Sequence, residues 1–282
     1  ICKDETLKAQ IITFIRRCAD YIILHIGNGE GQKGINEATR SWLGLNSSSI
    51  LEPIVRLYRL TGDQKYLDFA TYIVREGGAK GINVFRLALE NKLSPYQYGV
   101  SKAYEMTSCF EGLLEYYYAT GEAWCKTAVI NFANALIDTE ISVIGCSGIT
   151  HELFDFTKAR QTVRQEDVLQ ETCVTVTWMK FCGRLLEVTG EPVYADAMEK
   201  AFYNAYLGAL NTEYQASDYI RYQYVKKDPI DGLQDTFLPF DSYSPLTAGY
   251  RGKKIGGLQI MADKHYYGCC ACIGAAGTAL FP

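Results

Sequence analysis

One short punctuation mark recurs along the chain: Thr61-Gly62-Asp63, Thr120-Gly121-Glu122 and Thr189-Gly190-Glu191. Each stands between two apolar-periodic segments. Glycine suits the left-handed backbone just past a helix C-terminus, and an acidic side chain suits the positive start of the next helix. The mark therefore predicts three antiparallel helical hairpins. The turns lie 59 and 69 residues apart, a spacing less regular than an open solenoid keeps. Hairpins closing into an α/α toroid suit it better, and an all-α fold class follows.

The segments around the turns carry helical periodicity. Thr6–Ile26 has Leu7, Ile11, Ile15, Cys18 and Ile22 at three- and four-residue intervals. Asn46-Ser47-Ser48-Ser49 offers N-caps for a helix running to Leu60, and Gln64–Arg75 follows the first turn. Leu113–Ala119 enters the second turn, and a helix leaves it toward Leu136. Leu185–Val188 enters the third, and Pro192 opens a helix to Leu210. Beyond that the pattern changes. Asp218–Lys226, with Tyr219, Tyr222 and Tyr224, reads as a strand, so a short β-ribbon after residue 210 is expected at one rim. Residues 227–268 are rich in Gly, Pro, Asp and Ser, and a long irregular loop in a compact enzyme is usually functional.

Several function classes fall away. With 28 basic and 32 acidic residues, a net charge of -4 and no basic run, the chain lacks the footprint of nucleic-acid binding. No stretch nears the roughly 18 apolar residues of a membrane span. Twenty-one tyrosines against three histidines hint at a polar cleft that stacks and hydrogen-bonds, though tyrosine is also ordinary half-buried core. The chain starts Ile1-Cys2-Lys3 and stops at Phe281-Pro282, so both ends read as interior sequence of a longer protein. Compartment and oligomeric state stay open.

There are ten cysteines. Cys18, Cys109, Cys125 and Cys182 fall in helical segments among apolar neighbours and read as buried thiols acting as small hydrophobes. A chain of this length needs no disulfide staples. Cys269, Cys270 and Cys272 differ: three thiols in four residues, on what reads as irregular backbone, suit metal binding or thiol chemistry. Upstream, Gln170-Glu171-Thr172-Cys173 opens an apolar segment. Near a helix N-terminus Glu171 and Cys173 can reach one point; taken alone, the pair reads first as a first-turn acid and a core cysteine. Together the two motifs offer three thiolates and a carboxylate, the number a tetrahedral zinc takes, without a zinc-finger spacing.

Glu171-Thr172-Cys173, then Tyr203-Asn204-Ala205, then Cys269-Cys270, resembles glycoside hydrolase family 127, the β-L-arabinofuranosidase-like enzymes. Ser47-Ser48-Ser49-Ile50-Leu51-Glu52-Pro53, Ala103-Tyr104-Glu105-Met106 and Gly148-Ile149-Thr150-His151-Glu152 extend the likeness from about Leu45 to the end. The resemblance implies an (α/α)6-barrel catalytic domain, here residues 1–282 as a single incomplete toroid without the family's β-sandwich domains. It implies zinc held by Glu171, Cys173, Cys269 and Cys270. It also implies a retaining mechanism with Cys269 as nucleophile and Glu152 as acid/base, Asp155 being the alternative. Lys102, Tyr104 and His151 would line the sugar site, and an oligosaccharide or other glycoside would be the substrate.

The sequence departs from the family pattern in places. Lys102 stands where characterised members often have a sugar-binding histidine, and His151 stands where a glycine often precedes the acid/base. Ala271-Cys272-Ile273-Gly274 replaces the usual tail after the cysteine pair, so Cys272 competes as ligand or nucleophile. Arg160, Arg164, Glu166 and Asp167 fill an otherwise different stretch. The added cations would suit an acidic sugar. His25, at a helix end, reads as a C-terminal helix partner, and His265 as either a pocket or a loop residue. Two rival readings stand beside the enzyme. One is a non-catalytic carbohydrate-binding toroid with a structural zinc. The other is a thiol protein using Cys269, Cys270 and Cys272 without Glu152 or Glu171.

Overall fold

Three glycines at left-handed φ end three helices where the repeated turns predict them: Gly62 (69°), Gly121 (76°) and Gly190 (71°). The computed structural model describes residues 4–148, 152–162, 170–209, 259–260, 266–267 and 269–280. The threonine before each glycine has its own role. Thr61, Thr120 and Thr189 donate their hydroxyls to Leu57, Tyr116 and Leu185 carbonyls at 2.7, 2.8 and 2.7 Å. The same oxygens accept from the N–H of Asp63, Glu122 and Glu191. The hydroxyl thus ties the last turn of one helix to the first residue beyond the glycine, which fixes how the chain leaves the turn.

The chain divides into two compact units, Ile1–Asn134 and Ala135–Pro282. In the first, the principal helices are α1 (Glu5–His25), α2 (Leu51–Thr61), α3 (Gln64–Glu76), α4 (Val84–Glu90) and α5 (Ala103–Thr120). The helix α6 (Ala123–Thr139) begins there and crosses the division. Helix α2 packs against both α3 and α5. Leu51, Ile54, Val55 and Leu57 are buried on the α2 face, and Phe110 of α5 is buried between Phe85, edge-on at 5.5 Å, and Phe132, stacked at 3.8 Å. A two-residue antiparallel pair, β1 (Gly78–Ala79) with β2 (Ile82–Asn83), links α3 to α4.

Gly112 marks where α5 meets the start of α2. A Cβ there would stand 2.7 Å from Leu51 Cβ and 2.8 Å from the Glu52 backbone nitrogen. Alanine would gain about 1 kcal/mol of helix propensity. Overpacking against backbone costs about 1–3 kcal/mol, so the net effect is destabilising. Gly112→Ala should lower the urea unfolding midpoint with an unchanged m-value.

The second unit holds the end of α6, a single turn at Thr157–Arg160, α7 (Thr172–Thr189) and α8 (Pro192–Lys200). A π-type turn, Ala201–Tyr206, continues α8 toward Leu207–Ala209. Helix α9 (Cys269–Gly277) follows the pair β3 (Gln259–Ile260) and β4 (Tyr266–Tyr267), which are antiparallel. Helix α7 is the centre of this unit and packs on α8 and α9. Its Val174, Val176, Trp178, Met179, Phe181, Cys182 and Leu185 are all buried.

The described residues are dominated by helix, with two minimal sheets, so the all-α class holds. The β-ribbon after residue 210 is present at β3–β4; the tyrosine-rich stretch expected to form it, 218–226, lies outside the described residues. Three local expectations are corrected. The serines at 47–49 do not cap a helix to Leu60: Leu45–Ser48 is a helical turn of its own, and Ile50 takes the uncapped N-cap position of α2. Helix α1 forms, capped by Asp4 on the N–H groups of Thr6 and Leu7, but its stripe of Leu7, Ile11 and Ile15 is exposed, as is Cys18. Cys269 and Cys270 open a helix instead of lying on irregular backbone. The other three helical thiols, Cys109, Cys125 and Cys182, are buried as expected. His25 closes the last turn of α1 with Nδ1 2.8 Å from the Tyr21 carbonyl. No helix among the described residues is long and apolar enough to cross a membrane.

Candidate metal and active site

Two helix N-termini in the second unit converge on one cluster. Glu171 is the N-cap residue of α7, in extended conformation, and Cys173 is the second residue of that helix. Cys269 and Cys270 are the first two residues of α9. The Glu171 carboxylate makes no capping bond to its own helix. It turns to the sulfurs instead, with Oε1 3.5 Å from Cys270 Sγ and 3.9 Å from Cys269 Sγ. Cys173 Sγ and Cys270 Sγ are 3.1 Å apart, and Cys269 Sγ and Cys270 Sγ 3.9 Å.

These four ligand atoms all lie within 4.8 Å of one another. A tetrahedral zinc with Zn–S near 2.3 Å sets sulfur–sulfur edges of about 3.8 Å. The donor set therefore suits a tetrahedral metal ion in number and kind; the 3.9 Å Cys269–Cys270 edge matches that length, the 3.1 Å Cys173–Cys270 edge is shorter, and no disulfide forms among the sulfurs. The cluster is nearly sealed: Cys270, Glu171 and Cys173 are 0%, 3% and 5% exposed, and Cys269 alone is partly accessible.

Electrostatics make the same point. The neighbouring Cys269 and Cys270 thiols, then burial and the Glu171 charge, push the Cys173 thiol far above its ordinary range. Burial first, then Cys269 and Glu171, push Cys270 up as well. Four mutually repelling acids in a dry site need a cation to ionise together, and a dication inverts that balance. The two helix N-termini favour thiolate in the same direction.

Helix α9 is held in place by Tyr206, which donates to the Gly274 carbonyl at 2.7 Å. Gly277 allows the close approach: a Cβ there would meet Tyr206 at 2.7 Å and Val176 at 2.9 Å. Cys272, one turn beyond Cys269 on α9, is exposed and outside the cluster.

The other site candidates are distributed more widely. Glu152 is half-buried in a turn of the second unit, and His151, Arg164, Glu166, Asp167 and His265 lie outside the described residues. Asp155 is engaged within its own loop: Oδ1 accepts from Thr157 Oγ1 at 2.7 Å and Oδ2 from Arg160 at 2.9 Å. Those bonds fit an anchoring role better than proton transfer. Lys102 and Tyr104 belong to the first unit. Lys102 is the buried N-cap residue of α5, with Nζ 3.7 Å from Glu105, whose other oxygen accepts from Asn46 at 2.7 Å. Tyr104 is half-buried beside it.

Sequence reasoning missed Glu140. Its carboxylate is wholly buried and accepts from three consecutive backbone N–H groups, those of Asp155, Phe156 and Thr157. A spacing of 15–17 residues to backbone partners leaves no side-chain motif to read.

Helical hairpins that bring three cysteines and a glutamate together at two helix N-termini, in a cluster that could hold a metal ion, define the class of domain. The chain belongs to the family of the β-L-arabinofuranosidase GH127 catalytic domain, which it matches over residues 4–224. That span includes Glu171 and Cys173 and ends before Cys269 and Cys270. Solved structures share the fold. A GH127 β-L-arabinofuranosidase from Geobacillus stearothermophilus T6 is 17% identical with a TM-score of 0.52, over 92% of this chain and 40% of that one. A GH127 β-arabinofuranosidase is 23% identical with a TM-score of 0.50, over 66% of this chain and 28% of its own. A third structure, described as a glycoside hydrolase, is 16% identical with a TM-score of 0.51, over 88% and 38%. The chain thus spans 28–40% of the length of these relatives. No curated protein matches it significantly.

Proposed function

We propose that this chain is the single catalytic domain, or part of it, of a zinc-dependent retaining glycoside hydrolase acting on a β-L-arabinofuranoside or a related sugar. The observation that carries the reading is the convergence of Glu171, Cys173, Cys269 and Cys270 in a member of the GH127 catalytic family. Glu171, Cys173, Cys269 and Cys270 would hold the ion. Zinc bound there would keep the three sulfurs ionised at neutral pH, which would make a nucleophile available without a separate base.

Cys269 suits the nucleophile because it is the accessible sulfur of the three, while Cys173 and Cys270 are sealed. Its sulfur attacks the anomeric carbon as the bond to the leaving oxygen breaks. Glu152, protonated, gives its proton to that oxygen. A covalent glycosyl–cysteine results. Glu152, now a carboxylate, takes a proton from water; the water oxygen attacks the anomeric carbon, the C–S bond breaks, and the thiolate and the acid are restored. Thiolate plus carboxylate here replaces the usual two carboxylates. Lys102, Tyr104 and His151 would contact the sugar, and a cationic Lys102 in place of histidine suits a substrate bearing negative charge.

Hydrolysis of p-nitrophenyl β-L-arabinofuranoside, beside a panel of neutral and acidic p-nitrophenyl glycosides, tests the reading. Turnover of at least one member with retention at the anomeric carbon is expected. Zinc retention with no turnover across the panel would point to a carbohydrate-binding toroid with a structural metal.

A further inference from the structure

Glu140 ends the chain's passage out of α6 and is 0% exposed. A buried carboxylate is expensive unless its oxygens are fully bonded. Here Oε2 accepts from the N–H of Asp155 at 3.0 Å and of Thr157 at 3.2 Å, and Oε1 from Phe156 at 3.1 Å. Three successive N–H groups can converge because Phe156 is left-handed, at φ 62° and ψ 44°. Such a turn makes an anion-binding concavity. For a bulky non-glycine residue it costs about 1–3 kcal/mol and persists where the surroundings over-determine it. The carboxylate supplies that determination.

The clamp closes on both sides of one short segment. Thr157 Oγ1 accepts from the Gly148 N–H at 2.8 Å, so Gly148 is tied to the turn that Glu140 holds. In the chain, Glu152 falls between these two fixed points. The stretch just after Glu140 also touches the start of α7. Ser142 donates to Gln170 at 2.8 Å, and the Cys146 thiol lies 3.6 Å from the Glu171 carbonyl. One short stretch, 140–148, is therefore bonded both to the turn after Glu152 and to the residues that lead into the metal cluster.

We infer that Glu140 is a positioning residue for proton transfer: its carboxylate fixes the Asp155–Thr157 turn and so sets the distance of Glu152 from the leaving oxygen. This rests on the assignment of Glu152 as acid/base. Misplacing a catalytic group by about 1 Å costs on the order of 100-fold.

The test compares two aryl β-L-arabinofuranosides, phenyl (a poor leaving group that needs protonation) and 2,4-dinitrophenyl (one that does not). Glu140→Gln, which places an amide N–H₂ against the N–H groups, should lower kcat/KM on the phenyl substrate about 10–100-fold, with kcat/KM on the dinitrophenyl substrate, which reports a first step needing no protonation, within about threefold of the parent. The alkaline limb of the phenyl pH profile, where the proton donor is lost, should move, and zinc content should stay unchanged. The ratio of the two rates is independent of how much protein is folded, so partial unfolding cannot imitate the effect. Thr157→Val, which removes the Gly148 tie, should shift the ratio the same way and serves where Glu140→Gln fails to fold. Equal loss on both substrates in these variants, with a steep leaving-group dependence in Glu152→Gln, would overturn the positioning role and leave the acid/base assignment standing. No leaving-group dependence in Glu152→Gln would overturn both.

Discussion

Cys173→Ser should strip the protein of zinc while leaving its helices in place. The parent should carry one zinc per chain, and cobalt should substitute with the visible absorption of a tetrahedral, thiolate-rich site. Outer-shell partners typically cost 10–100-fold in metal affinity. Loss of a ligand from a sealed four-donor cage should exceed that, because Cys270 and Glu171 would then face each other 3.5 Å apart with one sulfur fewer to share the ion. The fold should survive because α7 has its own core: Trp178, Met179, Phe181 and Leu185 are buried independently of the cluster. Helical circular dichroism of the variant should match the parent, and only the parent's melting temperature should fall on chelation. At a zinc concentration 100 times the dissociation constant, the bound ion contributes about 2.7 kcal/mol. An unchanged zinc stoichiometry in Cys173→Ser would remove the cluster from consideration as a metal centre.

The parts of this molecule that were legible in its sequence are those with local causes. The Thr-Gly-acidic turns act within six residues of themselves, through a left-handed glycine and a hydroxyl that bonds to both sides, and they appear in the structure where they appear in the sequence. The four-residue cluster was legible through the family resemblance; the residues alone counted three thiols and a carboxylate but left Glu171 readable as a first-turn acid and Cys173 as core. Its backbone was not. Cys269, Cys270 and Cys272 read as irregular backbone, yet Cys269–Gly277 is a helix, and Gly277 lets it approach Tyr206 and Val176 too closely for a larger residue. The amphipathic stripe of α1 shows the converse: periodicity sets a helix, and whether the stripe is covered depends on elements remote in sequence. Glu140 was invisible for a related reason. Its partners are backbone groups, which every residue type carries, so nothing in the sequence distinguishes the residues that bind it.

The accessibility of Cys269 leads to the second large effect. Cys269→Ser should abolish detectable turnover with the chain still folded, because a serine hydroxyl in the same position is a far weaker nucleophile at neutral pH than a thiolate. Cys272→Ser, on the exposed side of α9, should keep the parent's rate, since Cys272 stands outside the four-residue cluster. Glu152→Gln should behave differently from both. General acid catalysis supplies about 10²–10⁴-fold, so the loss in kcat/KM should be of that size for alkyl and phenyl glycosides and small for nitrophenyl ones. With the activated substrates the second step should then limit turnover, because the same residue must deprotonate water; a burst of the aryl leaving group equal to one per active site should appear. Mass spectrometry of the quenched burst should find one sugar unit on the peptide containing Cys269. A sugar adduct on Cys272, or full activity in Cys269→Ser, would reassign the nucleophile. A burst with no adduct on any cysteine would exclude the covalent thiolate mechanism altogether.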